Sequence, residues 1–320
     1  MSTFAAPVLV VLGPTGSGKS ELALALARHF NGEIVNCDSI QVYRGFDIGS
    51  AKTPVQNRGN IAHHLLDVIG PGEELSAGSY ARLARQIITQ IHQRRRIPIV
   101  VGGTGFYLRA LLDGLSPAPG RDVQLRKRLQ TAEERRPGFL HRVLRRYDPP
   151  AAARIHANDT PKLIRAIEIM LRTGEPATRA QAAPRQAFSG IAALKLGLAP
   201  ERHLLYARLN ERSEWFFQNG LIAETERLLA LGYPHDSKPM QSLGYKQAVQ
   251  FIRGELPLKK AVAECQIRTR HYAKRQITWF RAERDLRWLK GFGSNTDVQQ
   301  AAIRESRSFL SRLHSFTFGA

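Results

Sequence analysis

The chain has 320 residues, 43% of them hydrophobic, which excludes a disordered tail and indicates a globular protein of about two domains. The excess of 47 Lys and Arg over 27 Asp and Glu gives a net charge of +20. This charge favours a nucleic acid as partner, with a basic proteome or simple solubility as the alternative. The two cysteines are far apart and lack zinc-finger spacing, which indicates free thiols. The sequence shows no signal segment and no apolar run of about 18 residues, so we expect a cytoplasmic protein without a membrane span.

The first third of the chain alternates strand patterns with helix patterns. The predicted elements are a strand over Val8 to Leu12, a helix over Lys19 to Phe30, a strand ending near Asp38, a helix over Ala77 to Arg94 with Leu83, Ile87, Ile88 and Ile91 on its inner face, and a strand over Ile97 to Val101. Strands that alternate with helices form an open parallel sheet with helices on both faces, so the predicted fold class is α/β.

The pattern changes after Asp113. A Pro/Gly-rich linker leads into Arg121 to Leu171, where the spacing is helical throughout and the stretch from Arg121 to Tyr147 holds nine Lys or Arg against three Asp or Glu. A sheet strand is predicted again over Leu194 to Pro200, and the remainder is mostly helix. We therefore expect a core in residues 1–115 and 191–320, with a basic helical insertion domain in residues 116–190.

The segment GPTGSGKS, from Gly13 to Ser20, has the pattern of a phosphate-binding P-loop. It follows a predicted strand and opens a predicted helix, which is the context that the motif requires. Glycines let backbone N–H groups approach phosphate oxygens, Lys19 supplies a point charge, and the Ser20 hydroxyl can reach a bound Mg²⁺. A glycine-rich turn without a ligand is the alternative.

The sequence after the third strand argues against an ordinary nucleotide hydrolase. Such an enzyme places an acidic residue at the end of a later strand to hold Mg²⁺, whereas this strand ends in Gly102-Gly103-Thr104-Gly105. The chain also contains no Asn-Lys-x-Asp guanine-reading motif. The residues alone therefore predict a phosphate ligand without identifying it.

Asp38 and Thr104 follow two of the predicted strands. Because the carboxyl ends of parallel strands meet at the ligand crevice, Asp38 is a candidate general base facing the phosphate ligand, and Thr104 would share that crevice. An Asp at this place can also cap a helix or form a turn, and a Thr can serve as a turn hydroxyl.

Basic and aromatic residues are interleaved in the C-terminal stretch RTRHYAKRQITWFRAERDLRW. On a helix, Arg270, Lys274 and Arg281 would lie within about 40° of each other. A solvated charged face is one explanation, but no acidic residue accompanies this stripe, so a phosphodiester backbone is the favoured partner.

Seven blocks in the same order resemble the tRNA dimethylallyltransferase family, which prenylates adenosine 37 beside the anticodon. The blocks are GPTGSGKS, NCDSIQVYRGFDIGSAK, HHLLD, VGGTGFYLRALL, NDTPKLIRAIEI, SLGYKQ and AKRQITWFR, spread from about Val8 to Leu289. The resemblance implies a P-loop sheet with a tRNA-binding helical insertion. It also implies a bacterial-type enzyme, without a zinc finger, that acts as a monomer on the anticodon stem-loop of tRNA. The implied reaction transfers a dimethylallyl group from dimethylallyl diphosphate to N6 of that adenosine.

The resemblance also assigns roles to residues of this chain. Asp38 would take the proton from N6, while Thr104 and Arg212 would hold the leaving diphosphate, with Arg208 the weaker candidate; Ser20 would bind the Mg²⁺ cofactor. The implied diphosphate-binding residues are Gly13, Pro14, Thr15, Gly16, Ser17, Gly18, Lys19 and Ser20. The implied tRNA-binding residues are Asp38, Ser39, Ile40, Gln41, Thr104, Arg126, Pro161, Lys162, Leu163, Ile164, Arg165, Gln241, Ser242, Leu243, Gly244, Tyr245, Lys246, Lys274, Arg275, Gln276, Ile277, Thr278, Trp279, Phe280 and Arg281.

Pro161-Lys162 stands where the family often has Gln-Arg, which keeps a charge but loses the bidentate geometry of a guanidinium. Two rival functions remain at this point. A P-loop phosphotransferase would turn over ATP, and an RNA-binding protein with a decayed active site would have lost residues such as Lys19 and Asp38.

Overall fold

The computed structural model describes residues 5–313 and divides the chain into two compact units. The first unit contains the residues up to Leu112 and those from Phe188 on; the second is Asp113–Ala187. The division begins and ends three residues earlier than the insertion expected at 116–190. The backbone N–H of Phe188 donates to the carbonyl of Leu112 at 2.9 Å, so the chain leaves and re-enters the first unit at one point.

The described residues form six strands and thirteen α-helices. The strands are β1 Ala6–Leu12, β2 Gly32–Asn36, β3 His63–His64, β4 Ile97–Gly102, β5 Ile191–Ala199 and β6 Leu286–Lys290. The helices are α1 Lys19–His29, α2 Ala77–Gln93, α3 Gly105–Leu112, α4 Val123–Arg135, α5 Phe139–Tyr147, α6 Pro149–Arg154, α7 Thr160–Thr173, α8 Ala177–Ala182, α9 Arg202–Gln218, α10 Leu221–Ala230, α11 Tyr245–Ile252, α12 Leu258–Arg281 and α13 Thr296–Arg312.

The strands pair in parallel in the order β3-β2-β4-β1-β5-β6. Fully parallel sheets occur where both faces are covered, and the strands β1 and β4 are accordingly buried along almost their whole length. Alternate residues such as Leu9, Val11 and Ile99 join one hydrophobic cluster with α1 and α13, and α2 packs on β2, β4 and α3. The expected α/β sheet flanked by helices is confirmed.

The sequence did not anticipate β3 or β6. β3 is only two residues long, and β6 extends the sheet at its edge by pairing with β5 from Lys195 to Ala199. No helix in residues 5–313 combines the length and the apolar character that crossing a bilayer requires.

The buried face of α2 agrees with the prediction at Ile88 and Ile91, which are both 0% exposed, and differs from it at Leu83 and Ile87. Leu83 is 39% exposed and Ile87 is half-buried, whereas the small side chain of Ala84 faces the interior. Small side chains let a helix approach the sheet closely, so the large apolar residues marked only part of the buried stripe.

The second unit is a cluster of helices with its own core. Leu140 and Leu144 of α5 pack against Leu163 and Ile167 of α7, and all four are buried. Short connections and Pro-containing first turns in α6 and α7 are typical of tightly packed helices.

An ion pair at the centre of this second unit involves the fully buried carboxylate of Glu168. Arg126 donates to both of its oxygens at 2.8 Å, Arg165 donates at 2.6 Å, and the backbone N–H of Asp122 donates at 2.8 Å. Burial opposes ionisation, but the hydrogen bonds from Arg126, Asp122 and Arg165 prevail and hold the pKa of Glu168 to about 2.

Glu168→Gln is therefore expected to destabilise the second unit by about 2–4 kcal/mol, because the two arginines lose their charged acceptor in the interior. Hydrogen–deuterium exchange of peptides from α4 and α7 measures this loss, and the matched change Glu175→Gln, in an exposed pair with Arg179 at 3.8 Å, should leave the exchange unchanged. The wild-type contribution is present above the unfolded pKa of about 4.5 and is lost as the pH falls towards 2. Equal exchange in the two variants would contradict the assignment.

Candidate active site

A cavity of about 720 Å³ opens in the first unit at the carboxyl ends of β1, β2 and β4. Ligands of open α/β sheets bind at this edge. The cavity is bordered by the P-loop, the segment after β2, residues 47–58 and the part of α9 from Arg208 to Phe216. The lining includes Thr15, Gly16, Gly18, Lys19, Ser20, Asn36, Asp38, Lys52, Arg58, Arg208, Arg212 and Trp215.

The P-loop conformation depends on glycine. Gly13, Gly16 and Gly18 have φ angles of 152°, 77° and 87°, a region that side-chain-bearing residues rarely adopt. A Cβ on Gly18 would also lie 2.7 Å from the backbone nitrogen of Gly293. Gly18 precedes α1, and no side chain among the described residues caps that helix, so its first N–H groups are available to an anion.

Lys19 lies inside this loop, and its Nζ donates to the carbonyl of Pro14 at 2.9 Å. Burial lowers the pKa of Lys19 from 10.5 to about 8, against the opposing effect of the Asp38 carboxylate, and the positive charge of Arg212 lowers it further. An anionic ligand would favour the protonated form, so the lysine is suited to hold phosphate.

Arg212 and Arg208 reach the cavity from successive turns of α9. Arg212 donates through Nη2 to the Thr15 hydroxyl at 2.7 Å, while its buried Nε–H has no partner among residues 5–313. Burial, followed by repulsion from Arg208, lowers the pKa of Arg212 to about 10, which leaves it charged at neutral pH. Arg208 instead donates to Glu21 at 3.3 Å and lies over the Phe292 ring. Both arginines line the cavity.

Asp38 performs the turn-forming role that the sequence left open and keeps one oxygen available. Its Oδ1 accepts hydrogen bonds from the backbone N–H groups of Ile40 at 2.8 Å and Gln41 at 3.3 Å. Within the described part of the chain Oδ2 has no hydrogen-bond partner, and Asp38 lines the same cavity as Lys19. The turn therefore orients a carboxylate oxygen that can accept a proton.

Thr104 lies beside the cavity rather than in its lining. Its hydroxyl accepts a hydrogen bond from the N–H of Ser39 at 3.1 Å, and its own N–H donates to the Cys37 carbonyl at 3.3 Å. A Cβ on Gly102 would lie 2.1 Å from that carbonyl oxygen, so the ends of β2 and β4 meet very closely here. This contact brings Thr104 next to Asp38.

Several cavity residues were missed because no local pattern marks them. Lys52 is 6% exposed and pairs with Asp47 and Asp67, both at 2.6 Å, which fixes the segment after β2. Trp215 is 53% exposed at the rim, and Arg58 joins the lining from the other side. Lys52 does stand in the block NCDSIQVYRGFDIGSAK, which was the available signal.

The residues assigned to tRNA after β2 and before α11 are placed unevenly. Ser39 and Ile40 are half-buried beside the cavity, and Gln41 donates to the Ser50 carbonyl at 3.0 Å. In the second group Gln241 is exposed, Ser242, Leu243 and Lys246 are half-buried, and Gly244 is buried with a φ of 83°.

The structure buries the side chain of Tyr245 completely. Its hydroxyl donates to Glu224 at 2.5 Å, and that carboxylate also accepts from the N–H of Ile48 at 3.0 Å. Tyr245 therefore supports the cavity wall instead of meeting tRNA through its side chain.

The residues on α12 divide between an outer and an inner face. Lys274, Arg275, Thr278 and Arg281 are exposed, whereas Ile277 and Trp279 are half-buried and Gln276 and Phe280 are buried. Arg270 of the predicted stripe is half-buried and donates to Asn210 at 2.5 Å. Together with Arg109 and His271, residues of the outer face line a basic depression of about 640 Å³.

In the second unit the residues assigned to tRNA serve different purposes. Pro161 and Lys162 are exposed, with Lys162 paired to Asp159 at 2.5 Å. Leu163 and Ile164 are core residues, 0% and 6% exposed, so their side chains do not face a ligand. Arg126 and Arg165 bind Glu168, as described above.

Family models match most of the chain. The model described as IPP transferase matches residues 41–283, and the one described as isopentenyl transferase matches residues 6–62. A tRNA dimethylallyltransferase of Solibacter usitatus is 55% identical over 95% of this chain and 99% of its own length. A second tRNA dimethylallyltransferase, from Koribacter versatilis, is 50% identical over 93% of this chain and 97% of its own length.

Solved structures agree in fold. The tRNA isopentenylpyrophosphate transferase of Bacillus halodurans is 33% identical, with a TM-score of 0.70 over 97% of this chain and 98% of that one. A eukaryotic dimethylallyltransferase acting on tRNA is 28% identical, with a TM-score of 0.81 over 96% of this chain and 80% of that one. On these matches, the chain belongs to the tRNA dimethylallyltransferase family, also described as the IPP transferases.

Proposed function

We propose that this protein transfers the dimethylallyl group of dimethylallyl diphosphate to N6 of adenosine 37 in the anticodon loop of tRNA, releasing diphosphate. The observation that carries the proposal is a single cavity in which a P-loop with buried cations faces a free carboxylate oxygen of Asp38. The names of the relatives support the same reaction class.

The P-loop is suited to the leaving group. In the reaction the bond between C1 of the allyl group and the diphosphate oxygen breaks, and negative charge develops on that oxygen. The N–H groups at the start of α1, Lys19 and the Nε–H of Arg212 supply fixed positive charge, which stabilises developing charge most effectively in a site that excludes water.

The Asp38 carboxylate is suited to complete the substitution. As the adenine N6 forms its bond to C1, it becomes positively charged and must lose a proton. Oδ2 of Asp38 accepts that proton, while Oδ1 stays bound to the N–H groups of Ile40 and Gln41, so the carboxylate keeps its orientation.

Apolar side chains on the cavity wall suit a five-carbon tail. Leu24, Pro54, Val55 and Phe216 line the same cavity as the P-loop, and Trp215 stands at its rim. An apolar wall beside a diphosphate cradle distinguishes an allylic diphosphate from inorganic diphosphate.

The donors in the cavity fit a Mg²⁺ ion that is held largely by the substrate. No group of three or more acidic, His or Cys side chains within residues 5–313 could form a metal site by itself. Mg²⁺ commonly retains several waters and binds substrate phosphates, and here the Ser20 hydroxyl would be the protein ligand. Bound Mg²⁺ would neutralise charge on the diphosphate.

Two basic surfaces are suited to the tRNA backbone. In the first unit, Lys274, Arg275 and Arg281 are exposed on α12 without an acidic partner among the described residues. In the second unit, the exposed basic side chains on α4, on the residue that follows it and on α5 include Lys127, Arg128, Arg135, Arg136, Arg142, Arg145 and Arg146. Phosphate contacts of this kind give affinity that falls with salt.

The direct test is nucleoside mass spectrometry of unmodified tRNA incubated with the protein, Mg²⁺ and dimethylallyl diphosphate, beside a reaction that contains only ATP. N6-isopentenyladenosine at position 37 is the expected product. Phosphate release from ATP without any prenylated nucleoside would instead identify a phosphotransferase or ATPase.

Asp38→Asn should lower kcat by about 10²–10⁴-fold, because the amide preserves the shape and an acceptor oxygen but does not take a proton. Binding of dimethylallyl diphosphate, measured by calorimetry, should change by less than about threefold. The exposed Asp297→Asn serves as the matched control and should retain full activity. A kcat of Asp38→Asn close to that of the control would exclude Asp38 as the base.

The pH dependence of kcat/KM for dimethylallyl diphosphate should report Lys19. Only the protonated amine attracts the diphosphate, and its pKa in the free enzyme is about 8, so kcat/KM should fall as the pH rises through that value. Lys19→Arg remains charged and should show no such fall up to about pH 9.5, whatever its absolute activity. Parallel alkaline limbs in the two proteins would contradict this assignment.

A further inference from the structure

The buried side chain of Gln276 connects two loops of the active site. Its Oε1 accepts a hydrogen bond from the backbone N–H of Thr15 in the P-loop at 2.8 Å. Its Nε2 donates to the carbonyl of Gly103, just after β4, at 3.0 Å. Gln276 is 6% exposed; its bond to Gly103 is buried and its bond to Thr15 is partly buried.

The glycines on either side of Thr104 fit against α12. A Cβ on Gly103 would lie 2.2 Å from Nε2 of Gln276, and a Cβ on Gly105 would lie 2.0 Å from Nε1 of Trp279. Gln276 and Trp279 are one helical turn apart, so the inner face of α12 presses on both sides of the Thr104 loop. The spacing Gly-Thr-Gly is thus explained by contact with α12.

Thr15 is held from two directions. Gln276 binds its N–H, and Arg212 of α9 binds its hydroxyl at 2.7 Å. The N–H of Thr15 is therefore not free to bind the diphosphate in this arrangement, whereas its hydroxyl accepts from Arg212 and can still donate. The remaining loop N–H groups, Lys19 and Arg212 form the cradle, and Gln276 determines where that cradle lies relative to Thr104 and Asp38.

We propose that Gln276 is a positioning residue for the reaction, which fixes the diphosphate cradle against the Thr104 loop and does not bind tRNA. The proposal rests on the proposed function and replaces the tRNA contact that the family resemblance implied for this position. The same helix exposes Lys274 and Arg275 on its other face, so α12 links the basic surface to the reaction centre.

The test compares Gln276→Met, which keeps the size but removes both hydrogen bonds, with Gln266→Met. Gln266 lies on the same helix, and its Nε2 donates to the Asn210 carbonyl at 3.3 Å, away from the P-loop. Steady-state kinetics with both substrates, filter binding of tRNA and calorimetric binding of inorganic diphosphate are measured for each variant at a temperature well below its Tm.

Gln276→Met should lower kcat/KM for dimethylallyl diphosphate by about 10–100-fold and weaken diphosphate binding, with an unchanged Kd for tRNA. Gln266→Met should match the wild type. For Gln276→Met, a higher Kd for tRNA with an unchanged kcat would identify a tRNA contact and overturn the proposal. A kcat/KM for dimethylallyl diphosphate equal to that of the wild type, calculated per folded molecule, would also overturn it. Diphosphate binding does not require prenyl transfer, so it tests Gln276 even if wild-type protein forms no prenylated tRNA.

Gly103→Ala provides an independent route to the same displacement. Its methyl group should push the Gln276 amide away and reproduce the kinetic defect of Gln276→Met. In a Gln276→Ala background, where the crowding amide is absent, Gly103→Ala should add less than about a twofold effect. Additive effects of the two changes would show that they act separately and contradict the proposal.

Discussion

The structure depends on a P-loop that concentrates positive charge at the edge of a parallel sheet. The N-terminus of α1, Lys19 and Arg212 all contribute to one cavity, and burial lowers the pKa values of both side chains. Like charges that are buried together favour an anionic ligand, because that ligand stabilises their charged forms. This electrostatic preference suits the diphosphate of the proposed reaction.

Charge alone does not set the geometry of the site, so the loop has to be held in place. Gln276 and Arg212 bind Thr15, while the N–H of Gly293 donates to the Ser17 carbonyl at 2.9 Å from behind the loop. These contacts come from α12, α9 and the segment after β6, which are distant in sequence. The C-terminal helices thus complete an active site whose motif lies at the other end of the chain.

Sequence patterns predicted the parts of the site that local chemistry determines. The P-loop, the strand ends that carry Asp38 and Thr104, and the charge of α12 each have a signature within a few residues. Local patterns did not reveal that Leu163 and Tyr245 are buried, because burial depends on which helices pack together. The closure of the cradle by Gln276 is likewise a contact between residues 261 positions apart.

The resemblance to the family supplied the reaction, whereas the structure refines the roles of individual residues. A block such as AKRQITWFR contains outward basic residues and inward supporting ones, alternating at helical spacing. Gln276 and Phe280 belong to the inner face, and Lys274 and Arg281 belong to the outer face. The tRNA-binding role that the resemblance implied for the whole block is therefore open only to its exposed residues, and the buried ones support the active site.

The measurement that tests the central claim most directly is a crystal structure of the protein with Mg²⁺ and a thiolodiphosphate analogue of dimethylallyl diphosphate that does not react. The account predicts the diphosphate in the P-loop, within hydrogen-bond distance of Lys19 and the first N–H groups of α1, with the allyl carbon towards Oδ2 of Asp38. A diphosphate bound outside the P-loop, or an allyl carbon directed away from Asp38, would contradict it.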